Sequence, residues 1–314
     1  MTAASGPSTS QAPDLRKADD PAQVSRVAWA ALGVVYVVWG STYLAIRVTV
    51  ETVPPMTSAA IRFLCAGLLL AVVLSLRQGP KALAVTGRQL GSAALVGLML
   101  LVGGNGLVVF AERSVPSGLA ALLVAAVPLW VVLLRRATGH RTPAATLAGV
   151  LVGLVGLGVL TVPGLRGEVR LGGMLTVIGA TVLWSSGSFL AARLPMPGNA
   201  LVASVYEMLA GGLGALVLAA VRGELTGFEP STVSTASWLA LGYLVLFGSL
   251  LAFTAYAWLL QHAPLPLVAT YAYVNPVVAV FLGWLILAEP LTWPVLLGGA
   301  IVVAGVCLVV RTER

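Results

Sequence analysis

Charge is what this sequence has least of: Asp, Glu, Lys and Arg together make up only 9% of its 314 residues. A soluble globule carries about 25%, so most of this surface faces something other than water. Histidine is as sparse. His140 and His262 fall in gaps between apolar runs, too few and too far apart for a zinc site. Cys65 and Cys307 sit singly inside apolar runs without CxxC spacing, and read as inert small side chains. Asp14, Asp19 and Asp20 all lie in the first 26 residues, so no aspartate cluster is available to hold a catalytic metal within the membrane. No GxxxxGKS/T stretch occurs, which excludes an ATP-driven pump in this chain. An intramembrane serine protease needs a His beside its Ser at depth, and none is there. The expectation is a non-enzyme with no cofactor and no metal.

What the sequence has instead is 59% apolar residues and a mean hydropathy of +0.98. A hydrocarbon core about 30 Å thick takes about 20 apolar residues per helical crossing. Ten apolar runs follow one another, near 28–46, 55–76, 89–110, 116–134, 143–163, 171–192, 199–221, 236–260, 265–287 and 291–310. Several open at or beside Pro55, Pro116, Pro143, Gly172 or Asn199, residue types tolerated where a helix begins. The gaps are mostly short, so consecutive runs are expected as antiparallel neighbours. Residues 1–27 are polar, rich in Ser, Pro and Ala, and lack the apolar stretch of a signal peptide. They are expected as a disordered cytoplasmic tail.

The net charge is +7, but the basic residues stand singly or in pairs in the gaps. That is the pattern of loop anchors at a bilayer, not of a nucleic-acid footprint. With the N-terminus inside, 12 Lys and Arg fall on the cytoplasmic side and 5 outside, with Arg62 in the membrane. Both termini are therefore expected in the cytoplasm of a bacterial inner membrane.

The chain also repeats itself. VVWGSTYLAIR in the first run answers VLWSSGSFLAAR in the sixth, placing Trp39 opposite Trp184 at 184 − 39 = 145. RFLCAGL in the second answers EMLAGGL in the seventh, placing Arg62 opposite Glu207 at the same offset. Pro116 and Pro128 match Pro264 and Pro276 at offset 148, and Gly156 matches Gly305 at 149. Five helices is an odd number, so the second copy begins on the opposite face. The expected architecture is all-α: ten transmembrane helices as two inverted five-helix repeats, over 28–163 and 171–310.

WGSTYLAIR (39–47), RFL (62–64), GNG (104–106), VPSG (115–118), WSSGS (184–188), EMLAGG (207–212), YAYVNP (271–276) and AEPLT (288–292) together resemble the EamA family of the drug/metabolite transporter superfamily, within its YedA-like branch. The resemblance implies a fold of two inverted five-helix halves and ATP-independent export of amino acids or related metabolites. One departure is the basic gap RRATGHR before the fifth run, whose counterpart in the second half carries Glu289.

Arg62 and Glu207 are read as the strong charges well inside apolar runs. Each costs roughly 2.5–3.5 kcal/mol at a helix centre, so neither is expected to face lipid. Both could be substrate or proton handles on a cavity, or buried fasteners between helices. Glu207 is the proton-coupling candidate, because a carboxyl can exchange a proton and a guanidinium in practice does not. A second group falls near the expected midplane, where repeat-based transporters place their sites: Trp39, Ser41, Tyr43, Trp184, Ser186, Tyr271 and Asn275. Asn105, in its Gly-Gly-Asn-Gly stretch, joins them. Pro128 and Pro276 each free a carbonyl four residues earlier. The small-residue stripe Gly149, Gly153 and Gly156 and the pair Gly298 and Gly299 suit close helix packing, within the chain or across a homodimer. The partners expected are a small-molecule substrate and the lipid bilayer. Multidrug efflux of aromatic or cationic compounds is the alternative to amino-acid export, and a channel or a signalling protein is a more distant rival.

Overall fold

The computed structural model describes residues 25–139, 143–160, 162, 166, 168–263, 268 and 271–312, so the expected tail and His140 lie outside the described residues. Among those described, the chain is helical with no strand. The helices are α1 (Arg26–Thr49), α2 (Pro55–Gln78), α3 (Gly87–Ala111), α4 (Ser117–Ala137) and α5 (Ala144–Leu160). After the loop come α6 (Leu171–Ala191), α7 (Ala200–Val221), α8 (Thr235–His262), α9 (Tyr271–Leu287) and α10 (Trp293–Thr312). Helices α1–α4 and α6–α8, seven in all, are long and apolar enough to cross a membrane, and α5, α9 and α10 contain shorter apolar stretches. Their outward faces carry large apolar side chains such as Leu76 at 82% and Trp293 at 80% exposure. A surface this apolar is stable only against hydrocarbon, so this is a multi-pass membrane protein.

The helix starts are written locally. The side chains of Ser25, Asn199 and Ser234 accept main-chain N–H bonds at the heads of α1, α7 and α8, and Thr86 with Gln89 forms a reciprocal capping box on α3. Two carboxylates do the same from a distance. Glu224 accepts from the N–H groups of Met56 (2.8 Å) and Thr57 (3.1 Å) at the start of α2. Glu289 accepts from those of Ser117 (2.8 Å) and Gly118 (3.1 Å) at the start of α4, where a negative charge is favoured. The acidic residue set apart by the sequence comparison is thus a helix cap.

Packing uses small residues where backbones approach. The Gly149, Gly153 and Gly156 stripe of α5 meets α10 within the same chain: a Cβ at Gly305 would lie 2.5 Å from the Gly153 nitrogen, and one at Gly156 2.6 Å from that of Val302. Lipid tails are as apolar as Leu, so close contact rather than water exclusion holds such helices together. Elsewhere α2 packs on α7, α1 on α8 and α9, and α6 on α3 and α4. The core lies between these groups and is closed by Phe63, Leu100, Leu101 and Met208 on one side and Leu123, Leu129 and Met174 on the other.

Three helices depart from regular α geometry, and a fourth carries an internal proline. A π-helical segment occupies Leu98–Gly106 of α3, and another Leu244–Leu251 of α8. Helix α4 is interrupted at Ala125 and Ala126, just before Pro128, and α9 contains Pro276.

Candidate functional site

The irregular turns converge on one side chain. Arg62 is 4% exposed in the upper part of α2, and its Nε donates to Ser249 Oγ at 2.8 Å while its guanidinium NH1 donates to Asn105 Oδ1 at 3.3 Å. Ser249 lies in the π segment of α8 and Asn105 in that of α3. A π turn widens the helix and frees backbone groups, which is why such turns recur at functional positions. The Gly248 carbonyl in the same segment accepts from Trp39 Nε1 at 3.2 Å. A guanidinium has five N–H donors, two of them used here, and among the described residues no carboxylate lies within 4.0 Å of it.

Arg62 borders a cavity of about 680 Å³ of non-atom space, its open mouth included. Trp39, Tyr43, Arg62, Asn105, Trp184, Tyr271 and Asn275 all line it, seven of the nine residues read from sequence as substrate-binding. Three rings of its wall, Trp39, Trp184 and Tyr271, cluster with Tyr256 behind them. Trp39 lies 5.6 Å from Trp184 and 5.5 Å from Tyr271 in edge-to-face contact, and 4.9 Å from Tyr256. The geometry is that of favourable aromatic pairs. The Tyr256 hydroxyl is held by Ser188 Oγ at 3.2 Å. The buried Asn275 amide nitrogen donates to the main-chain oxygens of Tyr36 (3.1 Å) and Tyr271 (3.2 Å), leaving its oxygen as an acceptor.

Two expected residues lie off the wall. Ser41 is a fastener between α1 and α8, 2.6 Å from the Tyr243 hydroxyl, and Ser186 does not reach the cavity. Glu207 is also off the wall. It is 4% exposed and its backbone is pressed against α3, where a Cβ at Gly97 would lie 2.6 Å from its Cα. No ion pair joins it to Arg62 among the described residues.

Burial adds a second carboxyl beside Glu207: Glu112 is 0% exposed, against 4% for Glu207. Glu112 follows the last turn of α3, a run end in the sequence, yet it is buried, with Arg47 from the C-terminal end of α1 donating to its main-chain oxygen. His262, expected in a gap, closes α8 and stacks on Trp258. Ser249 was missed although the repeat marks it: it answers Asn105 at 249 − 105 = 144, just as Gly248 answers Gly104. Thr42, Thr181 and Phe253 line the cavity without a signal beyond their place in apolar runs.

A multi-pass helical membrane protein with a cavity beside a buried cation has the build of a solute transporter, and comparison with known proteins agrees. The model of the EamA-like transporter family matches residues 27–162 and again 171–311, so the chain belongs to that family. It is 42% identical over 256 residues to the uncharacterized inner membrane transporter YedA of Escherichia coli K12, covering 81% of each chain. A probable terminal-alkyne amino-acid exporter of Streptantibioticus cattleyicolor is 29% identical, over 92% of this chain and 95% of that one. A crystal structure with 22% identity superposes at TM-score 0.63 over 92% of this chain and 98% of its own, which speaks to the fold. The chain is a transporter of this type.

Proposed function

We propose that the protein exports amino acids or related carboxylate-bearing metabolites by secondary active transport with alternating access, exchanging them against protons. The carrying observation is Arg62, a buried guanidinium on the cavity wall with N–H donors to spare and no acidic partner within 4.0 Å among the described residues. A buried cation is costly unless paired, and a substrate carboxylate would supply the partner. The aromatic wall formed by Trp39, Trp184 and Tyr271, backed by Tyr256, suits an apolar substrate body. The relative named as a probable amino-acid exporter supports the same class.

The mechanism proposed rests on two inverted five-helix halves, α1–α5 and α6–α10, rocking about the cavity. Several features support it. Exchanging the halves carries the pairing of α1 with α9 onto that of α6 with α4, and α1 with α8 onto α6 with α3, while α2–α7 and α5–α10 map onto themselves. Both third helices carry a π segment at the matching place. Both termini are proposed to be cytoplasmic, from the Lys and Arg bias. A reporter active only in the periplasm should then be inactive when fused after Arg314 and active when inserted near Arg166; the reverse pattern overturns the orientation.

Multidrug efflux remains a second reading because four touching rings also suit cationic aromatic compounds. Trp39→Ala and Asn275→Ala test the cavity itself. Each should lower transport about tenfold, the scale of one lost ring or amide contact, while surface expression falls less than twofold. Equal losses in both would assign these residues to packing.

A further inference from the structure

The end of α3 holds a carboxyl that the transport reading has not used. Glu112 is 0% exposed, and among the described residues neither of its carboxyl oxygens has a hydrogen-bond partner. Arg47, at the end of α1, donates to the Glu112 main-chain oxygen rather than to its side chain. The charges close enough to act on the carboxyl are those of Glu289, Arg47 and Arg62, and the carboxyl in turn acts on the Tyr43 hydroxyl of the cavity wall. Neither arginine is within 4.0 Å of it. Glu289 is tied to the head of α4 through Ser117 and Gly118. Helix α6 packs here through Gly173, against Ser114 and Val115, and its Arg170 is exposed. Arg222 is engaged over the Phe110 ring at 4.4 Å.

Among the described residues, no element packed around Glu112 thus supplies a bonded donor for an ionised carboxylate. Burying a carboxylate without donors costs far more than burying the neutral acid. The carbonyl ends of α3 add repulsion to a negative charge at this position. Closed packing of these helix ends takes the protonated form.

We propose that Glu112 is a proton-binding site of the transport cycle, placed at the outer gate and filled when that gate closes. The proposal rests on the transport reading and orientation given above. When the outer ends of α1, α3 and α4 part from the α9–α10 turn, the carboxyl meets water, gives its proton to it, and can pair with Arg47 or Arg62. Closing again takes up one proton from water at the outer face. The closed state binds the proton more tightly than the open state, so a low external pH favours closure and a rising pH favours opening.

The test reads the gate directly. In the full chain with Cys65→Ala and Cys307→Ala, Ile46→Cys places a thiol at a residue 2% exposed on the cavity wall. Its reaction with a charged, impermeant thiol reagent is followed in right-side-out and inside-out vesicles. The rate is divided by that of an exposed control, Glu229→Cys, which removes the thiol's own pH dependence. The ratio from the outer face should rise about tenfold between pH 5.5 and 7.5, in line with one proton linked to opening. Adding Glu112→Gln should hold the ratio low at every pH. A variant that keeps the parent's pH profile overturns the proposal, as does labelling from the inner face alone. Should the amide fail to fold, Glu112→Asp must move the midpoint, and an unmoved midpoint overturns the proposal as well. No substrate is present in this assay. Failure to transport amino acids would sink the proposed function while leaving this result standing.

Discussion

Replacing Arg62 by Gln should lower export of carboxylate-bearing substrates about 100-fold while leaving a folded, correctly inserted protein. The side chain reaches the cavity from α2 and is anchored by Ser249 and Asn105 on the two π segments. Gln is shorter and uncharged, so it can neither span those anchors nor pair with a carboxylate. A hydrogen bond to a charged group is worth about 1.5–3 kcal/mol, so losing it corresponds to roughly 10- to 150-fold. Transport at subsaturating substrate should therefore fall about 100-fold. Arg62→Lys keeps the charge but not the planar fork, and should fall between the two. The same pair of variants separates the two functional readings. Cationic aromatic compounds lose nothing with the guanidinium, and their efflux should hold or rise in Arg62→Gln. If amino-acid transport survives at the parental level, Arg62 is a fastener of the π segments and the carboxylate reading fails.

Glu207→Gln is expected to remove the response to a pH gradient while leaving substrate counterflow in place. Glu207 is buried between α7 and α3, next to the electrostatic reach of Tyr256 behind the aromatic wall. With Glu112 toward the outer ends and Glu207 on the inner half, the proposed cycle has a proton-exchanging group on each side of the cavity. Gln keeps the shape of Glu and removes its proton exchange, and counterflow needs no net proton movement. Accumulation driven by a pH gradient should drop to the level set by substrate exchange alone. A variant that still concentrates substrate with the parental pH dependence would show that Glu207 takes no part in coupling. Loss of folded protein would make it a packing residue.

The helices were legible because each apolar run is bounded by residues with a local role. Asn199 and Thr86 cap, Pro55 opens α2, and the structure moves most ends by one to three residues. The start of the ninth run at 265 falls in residues the structure leaves undescribed, and α9 is described from Tyr271. The cavity aromatics and Arg62 were legible because Trp, Tyr and Arg stand out in a chain of Leu, Val, Ala and Gly. Ser41 and Ser186 misled for the same reason. A hydroxyl in an apolar run satisfies itself on a neighbouring carbonyl or helix as readily as it faces a ligand, and Ser41 bonds both Val38 and Tyr243. Glu112 was hidden because the groups that meet it come from far along the chain, Arg47 at its main-chain oxygen lying 112 − 47 = 65 residues away, which no local pattern reports. The π geometry itself was silent, since Leu98–Gly106 and Leu244–Leu251 are apolar apart from their glycines and one polar residue each, Asn105 and Ser249.

Counterflow in proteoliposomes tests the central claim most directly. Vesicles loaded with unlabelled amino acids should take up a labelled neutral amino acid transiently above equilibrium, and vesicles with Arg62→Gln should not. A panel in which each amino acid is paired with its decarboxylated amine should show the overshoot only for the carboxylate-bearing member. Overshoot with amines or cationic aromatic compounds, and none with any amino acid, would contradict the account.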